Sequence, residues 1–341
     1  MTQFHQRASR LLFAAAFCLA SIAIQATHAA QAAPLRIGYW TSGVSLGLGA
    51  VLETGDFLKK AGIDDVRFVH FAEVNAPASG LAANVIDISF SVPGTSAFSI
   101  AATGVPIRIF GATAPADVTF VAPATSPVTS LAGLRGKKIG MSPAGSSVAL
   151  MTAAVLRANY GFTPADYALV PGNEARLAQF LMQQQVDAAA LRSVTVAQLT
   201  EVKTKRLGTL ADEWRKLTHS DAMPYLGVGA VRSELIQRDP QTVAKFIVAI
   251  HNAIAWGNAH PDQVAAILQK VANLPASDAH IYAAHWAELN TISFEPADID
   301  TLKREQQIFV ASGAIKGTLP ADVFASEPYQ AAKKIIAAQK P

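Results

Sequence analysis

Three short turns in this sequence combine glycine with hydroxyl side chains: Thr41-Ser42-Gly43, Pro93-Gly94-Thr95-Ser96 and Gly145-Ser146-Ser147. Each precedes a run of apolar residues at helical spacing, so each is expected to open a helix. A helix start exposes N–H groups without intrahelical partners and the positive end of the helix dipole. Glycine lets backbone come close to a ligand, and Ser and Thr add hydroxyl donors. Together the turns suit the capture of a small anion or zwitterion. Ordinary N-capping accounts equally for any one of them, because Ser and Thr are preferred caps. Arg192 follows the apolar run Ala188-Ala189-Ala190-Leu191 and precedes Ser193, which places its guanidinium at the carboxyl end of a strand, where α/β ligands bind. Its planar fork matches carboxylate, sulfonate or sulfate oxygens. The competing reading is an ion pair between lobes or to an acid such as Glu174. Trp40 ends the first strand beside the first turn, either to stack on a ligand or to fill the core.

Bond-making chemistry finds no support. Gly140-Met141-Ser142-Pro143-Ala144 approaches the G-x-S-x-G nucleophile elbow but ends in alanine, and Pro143 has no N–H for an oxyanion hole. His280 and His285 are five apart and do not share a helix face as metal ligands four apart would. His219, His251 and His260 have no acidic or hydroxyl partner at a recognisable spacing, and no P-loop, G-x-G-x-x-G, H-E-x-x-H or EF-hand pattern is present. Cys18, the only cysteine, lies inside the N-terminal export signal read below, so the processed protein is expected to have no thiol, and disulfides, thiolate catalysis and cysteine-based metal sites fall together. No catalytic residue, metal site or cofactor is expected, and the chain reads as a non-enzyme.

The elements that must hold these residues follow from composition and periodicity. The chain has 341 residues, 51% of them hydrophobic, and its 16% charged share is well under the average, which for a globular protein is ~25%. Disorder is excluded as the main state. A net charge of +3, scattered without a long basic run, gives no basis for nucleic-acid binding. Arg7 and Arg10 precede an apolar stretch, Leu11 to Ile24, followed by small residues, which is the pattern of an export signal over residues 1–32 cleaved near Ala29–Ala32. The remainder then carries 26 basic and 25 acidic residues. The stretch is shorter than the ~20 residues of a membrane-spanning helix.

Beyond it, short apolar strands alternate with helical segments. Strands are expected at 35–40, 66–71, 85–91, 107–110, 138–141, 167–170 and 188–191, with helices between them, which argues an α/β fold with mostly parallel sheets flanked by helices. From about Gly227 long helical segments dominate, so the C-terminal third is expected to be helical. Two echoes suggest two lobes of similar design. Leu81 to Ser89 resembles Leu181 to Ala189, each with an Asp before a buried strand, and Ser91-Val92-Pro93-Gly94-Thr95-Ser96 resembles Ser142 to Ser147.

Arg36-Ile-Gly-Tyr39, Ala61-Gly62-Ile63, Ile86-Asp87-Ile88, Gly104-Val-Pro106-Ile107 and the run Ser130-Leu-Ala-Gly-Leu-Arg-Gly-Lys-Lys138-Ile-Gly140 come in order, followed by Gly145-Ser146-Ser147 and Val186-Asp187-Ala188. With them the chain resembles the nitrate/sulfonate/taurine-type, thiamine-pyrimidine-synthase-like substrate-binding proteins of ABC importers. The resemblance implies a two-lobed periplasmic-binding-protein fold (type II), with lobe 1 at 34–120 plus 229–341 and lobe 2 at 121–228. It also implies a periplasmic monomer that closes by hinge bending on a small anionic solute and delivers it to a permease and an ATPase at the inner membrane. The hinges are expected near Phe120–Pro123 and Leu226–Gly229. Carried over position by position, the first-lobe contacts are Trp40, Thr41, Ser91 and Thr95, beside Ser42 of the same turn. The second-lobe contacts are Gly145, Ser146 and Ser147, then Arg192 and Ser193. The cysteine-rich motif of pyrimidine-synthesising relatives is absent. The alternative from a different class is an exported enzyme on the same frame, a hydrolase or a pyrimidine-precursor enzyme.

Overall fold

The computed structural model describes residues 33–200 and 202–339, so the expected export signal lies outside the described residues. Ten strands form two five-stranded sheets of the same plan. The first holds β1 (Leu35–Trp40), β2 (Val66–Phe71), β3 (Ile88–Pro93) and β4 (Ile107–Pro115). The second holds β5 (Val118–Pro123), β6 (Lys138–Met141), β7 (Ala168–Pro171), β8 (Ala188–Arg192) and β9 (Thr204–Thr209). The chain then returns to the first sheet with β10 (Tyr225–Arg232). The orders are β2-β1-β3-β10-β4 and β7-β6-β8-β5-β9. In each sheet one strand, β10 or β5, runs antiparallel to both neighbours, and the other pairings are parallel. The sheets are therefore mixed, and the antiparallel strand in each is the one that follows a crossing between sheets.

The chain passes from one sheet to the other at 116–117 and returns through 219–224. The segments 120–123 and 226–229, where proline and glycine suggested hinges, lie inside β5 and β10. Phe120, Val121, Gly227 and Val228 are paired on both sides, and Ala122, Pro123 and Gly229 on one, so these segments are strand and not loop. Pro123 closes β5, and Gly227 and Gly229 sit where the pairing register of β10 shifts.

The first echo has a physical basis. Asp87 accepts a hydrogen bond from the Arg36 backbone N–H at 2.9 Å, and Asp187 accepts one from the Lys138 N–H at 2.8 Å. The two aspartates thus fasten the start of β3 to β1 and the start of β8 to β6. The second echo joins positions that the topology does not make equivalent, since β6 corresponds to β1 and not to β3.

Helices Ser147–Tyr160 and Leu210–Thr218 pack together, with Val155, Leu156 and Trp214 buried in the core cluster that also takes in β6 and β8. Leu177 and Leu181 of helix Glu174–Met182 cluster with Val121, Ala189 and Leu191 of β5 and β8. The long helix Pro240–Ala259 buries Phe246, Ile247 and Ile250 in one cluster with Phe110 of β4 and Val51 of helix Gly43–Thr54. The C-terminal third is helical as expected once β10 is complete, and it touches β4 through the bridges Ile109–Phe324 and Ala112–Ser293. No described helix is long and apolar enough to cross a membrane.

Candidate functional site

The carboxyl ends of β1, β3, β4, β6 and β8 converge on one cavity of about 90 Å³ between the two sheets. At roughly 10–15 Å³ for each water it can hold, this space admits a solute of a handful of non-hydrogen atoms. The first half supplies Trp40, Ser45, Leu48, Phe90, Ser91 and Thr113, with Leu226 from β10 and Leu289 and Asn290 from the C-terminal helices. The second half supplies Ser142, Ser146, Ser147, Glu174 and Arg192. The lining is mostly apolar, and Glu174 and Arg192 are its only charged residues among the described residues.

Local geometry explains why these side chains arrive there. Gly43 turns the chain from β1 into helix Gly43–Thr54 with φ +54°, and a Cβ there would lie 2.7 Å from the Trp40 ring. Only glycine suits that position. The indole Nε1 donates to the Ala72 carbonyl at 3.1 Å, which fixes the ring over the turn. Helix Gly43–Thr54 is held down by Tyr282, whose hydroxyl donates to the Val44 carbonyl (2.6 Å) and accepts from the Gly47 N–H (3.2 Å). Ser91 accepts the Trp40 N–H at 3.1 Å, tying the ends of β1 and β3 at the cavity wall. Ser146 caps helix Ser147–Tyr160 by accepting the Ala149 N–H at 3.2 Å. Two helix N-termini, one from each half, therefore open on the same space.

Arg192 ends β8 and is only 4% exposed. Its Nε and Nη2 are buried without a hydrogen-bond partner, and no ion pair to it falls within 4.0 Å among the described residues. The expected alternative, an ion pair with Glu174, is not what the acids do. Glu174 accepts the backbone N–H of Arg192 at 3.2 Å. Asp117, in the link between β4 and β5, accepts the backbone N–H of Ser193 at 3.2 Å and also its hydroxyl. Both carboxylates hold the backbone around Arg192 and leave the guanidinium unpaired. Burial pulls the Arg192 pKa down, and the charges of Asp117, Glu174 and Tyr282 partly restore it. Burial pushes the Glu174 carboxyl up, partly offset by Thr195 and by Arg192. A buried charged donor without a partner costs more than the roughly 1–3 kcal/mol of a neutral one, so this guanidinium is poised for an acceptor.

Of the ten residues singled out from the sequence, the cavity gathers Trp40, Ser91, Ser146, Ser147 and Arg192. The other five make protein contacts or stand apart from the lining. Thr41 donates its hydroxyl to the Phe71 carbonyl (3.1 Å), Ser42 sits at a helix start without a side-chain cap bond, and Ser193 holds Asp117. Thr95 donates its hydroxyl to the Gly145 carbonyl at 3.0 Å and lies 3.3 Å from the Ser147 hydroxyl, so these predicted contacts meet each other across the halves. Sequence reasoning missed Ser45, Thr113, Glu174 and Asn290 as lining residues. Thr113 has a buried hydroxyl without a partner, and Asn290 donates to the Trp286 carbonyl at 3.0 Å. No local pattern marks Asn290, whereas the strand-end rule applied to β4 would have found Thr113. Among the described residues no group of three or more His, Cys, Asp or Glu could hold a metal.

A family model described as NMT1/THI5 like matches residues 51–264, more than half of the chain. The chain belongs to the NMT1/THI5-like family. Among solved structures, the fold of this NMT1/THI5-like chain matches the periplasmic aliphatic sulphonate binding protein SsuA from Escherichia coli with a TM-score of 0.68 and 19% identity, over 85% of this chain and 90% of that one. The alkanesulfonate-binding protein SsuA from Xanthomonas axonopodis pv. citri, bound to MOPS, gives a TM-score of 0.71 and 19% identity, over 86% and 98%. The desulfurization enzyme DSZB shares the frame as well, with a TM-score of 0.60 and 16% identity over 89% and 99%. The fold is thus that of the two-lobed periplasmic binding proteins, a frame on which binding proteins and an enzyme both occur. No curated protein sequence matches the chain.

Proposed function

We propose that this chain is the exported, periplasmic solute-binding component of an ABC import system. It captures a small organic anion of the sulfonate, sulfate ester, carboxylate or nitrate class between its lobes and presents it to a membrane permease and its ATPase. Lobe 1 is the part built on β1–β4 and β10 with the C-terminal helices; lobe 2 is the part built on β5–β9. The observation that carries this reading is the Arg192 guanidinium, buried and unpartnered at Nε and Nη2 in the wall of a largely apolar cavity. Two helix N-termini and the hydroxyls of Ser91, Thr113 and Ser147 surround the same space with donors. The cavity lining contains no histidine, lysine or cysteine. Ser142 is followed by a proline there, and no base is paired with it. The hinge would be the two-residue link 116–117 together with the returning segment 219–224, closing the lobes over the solute.

Thermal unfolding with a panel of sulfonates, sulfate esters, carboxylates, nitrate and pyrimidines tests the reading. A binder present at 100 times its dissociation constant adds about 2.7 kcal/mol of stability, a clear rise in melting temperature. A panel in which no compound shifts melting, or in which one is chemically turned over, overturns the binding-protein reading.

A further inference from the structure

The two lobes carry opposite charge. Residues 121–228 hold 11 basic and 7 acidic residues, a formal +4, whereas 34–120 with 229–341 hold 15 and 18, a formal −3. The surplus of lobe 2 is scattered along the sequence, but the topology gathers much of it at one end. β6 and β8 run toward the cavity, so their first residues lie at the opposite end of the sheet. β5 runs the other way, and its last residue, Pro123, pairs with Thr204 at the start of β9, which brings Lys203 to that same end. Lys137 and Lys138 lead into β6 there. Helix Ser147–Tyr160 starts at the cavity and runs back, and its end is tied to Arg135, whose Nη2 donates to the Tyr160 carbonyl at 3.3 Å. Arg157 occupies that last turn. Lys138 and Thr204 are separated by three strand steps, about 14 Å at ~4.8 Å for each.

The acids at this end are already engaged. Asp187 accepts the Lys138 backbone N–H at 2.8 Å, and Asp166 pairs with Arg135 and takes the Thr163 N–H at 2.7 Å. Lys137, Lys138, Arg157 and Lys203 form no ion pair within 4.0 Å among the described residues. Lys138, Arg157 and Lys203 are exposed. Helix Glu174–Met182 also runs from the cavity to this end, where Met182 is 37% exposed and three uncharged glutamines follow. We propose that this end of lobe 2 docks on an anionic phospholipid bilayer. Lysine ammoniums on flexible stems meet headgroup phosphates as point charges, and an anionic leaflet attracts such a cluster within a Debye length. Met182 adds an apolar contact. The acidic lobe is repelled by the same charged plane, so the asymmetry orients the chain as well as attracting it. The cavity lies at the other end of the strands, and docking leaves its lining free whichever solute it takes.

Co-sedimentation of the processed chain with vesicles tests this, using phosphatidylcholine alone and phosphatidylcholine with about a quarter phosphatidylglycerol. Binding is expected only to the anionic vesicles at about 20 mM salt, where the screening length is roughly 20 Å, and should be lost by about 300 mM, where it is roughly 6 Å. A lysine at an anionic surface is worth a factor of about five, so Lys137→Gln, Lys138→Gln and Lys203→Gln together should weaken partitioning by at least about tenfold. Lys59→Gln, Lys60→Gln and Lys270→Gln together remove the same charge from exposed sites of lobe 1 and should leave partitioning within about twofold. Both variants should melt like the native chain and respond to the solute panel as it does, since none of the six lysines lines the cavity. Should the first triple variant fail to fold, Lys203→Gln alone carries the test, with an expected loss of about fivefold. No binding at low salt, equal binding to both vesicle types, binding that survives high salt, or equal losses in the two triple variants overturns the proposal. Capture of a duplex DNA oligonucleotide without capture of the anionic vesicles overturns it as well, because this end would then serve a polymer and not a bilayer.

Discussion

Replacing Arg192 by methionine separates a recognition residue from a structural one, because the two roles predict opposite outcomes. Methionine keeps most of the volume and removes the charge. A buried arginine engaged in a native ion pair would leave an uncompensated partner behind when removed, at a cost of about 3–5 kcal/mol. Here no carboxylate among the described residues forms an ion pair within 4.0 Å of the guanidinium, and Nε and Nη2 are unpartnered. Glu174 and Asp117 keep their hydrogen bonds to backbone N–H groups in the variant. The unliganded Arg192→Met protein should therefore match the native chain in urea unfolding to within about 1 kcal/mol, or exceed it, since a desolvated charge without a partner has been removed. Binding should change the other way. Loss of a buried charge partner typically costs ~2–5 kcal/mol, so calorimetry with the tightest anion of the panel should show at least a roughly thirtyfold loss at ~1.4 kcal/mol per decade. A variant destabilised by more than about 3 kcal/mol that still binds within about fivefold of the native chain would refute this reasoning and make Arg192 a structural residue.

Thr95→Val removes the hydroxyl that bridges to the Gly145 carbonyl and to Ser147; at about 1 kcal/mol for a hydrogen bond, solute affinity should fall about fivefold, read by calorimetry, with the fold intact by circular dichroism. Saturating ligand should reduce the radius of gyration in small-angle scattering, and an unchanged radius with binding confirmed separately would count against hinge closure. Glu305 is fully buried, with Oε1 accepting the Tyr225 N–H at 2.7 Å and Oε2 unpartnered, and burial raises its pKa well above the ordinary 4.5. A carboxyl raised in the folded state contributes stability that is present below the unfolded pKa and lost as pH rises through the folded one. Glu305→Gln should therefore gain stability relative to the native chain as pH rises above about 4.5, measured by urea midpoints at pH 5 and pH 8; equal pH trends would show that Glu305 is not held neutral.

The parts of the fold legible from sequence were those with local signals. β1, β2 and β6 begin and end where alternation and apolar runs place them, and Gly161, at φ +67°, closes helix Ser147–Tyr160 as its position suggested. The strands that escaped were β5, β9 and β10. β10 carries Gly227 and Gly229, which dilute any strand pattern, while β9 reads Thr-Lys-Arg-Leu-Gly-Thr, polar because it lies at a sheet edge. β5 directly follows β4 across a two-residue link, so the two read as one segment. The cavity lining was legible where the strand-end rule reached, at Trp40, Ser91 and Arg192. It was not legible at Glu174 or Asn290, whose places depend on how helices from distant segments pack. Sequence also could not tell which hydroxyls face the cavity and which bind one another, because Thr95 and Ser147, 52 positions apart, are brought together only by tertiary packing.

The link 116–117 does more than connect sheets. Asp117 sits in it and grips Ser193, the residue bonded to Arg192, through a backbone N–H and a hydroxyl. In the proposed reading, the joint and the arginine that meets the solute form one mechanical part, separated by a single peptide unit and two hydrogen bonds. A load applied at one end needs no relay through the packed interior to be felt at the other. That makes the joint a natural attachment point for a reporter: a fluorophore placed beside Asp117 would register cargo at Arg192 without touching the cavity. The same short lever lets the cavity wall be redesigned for other solutes while the signalling geometry is kept.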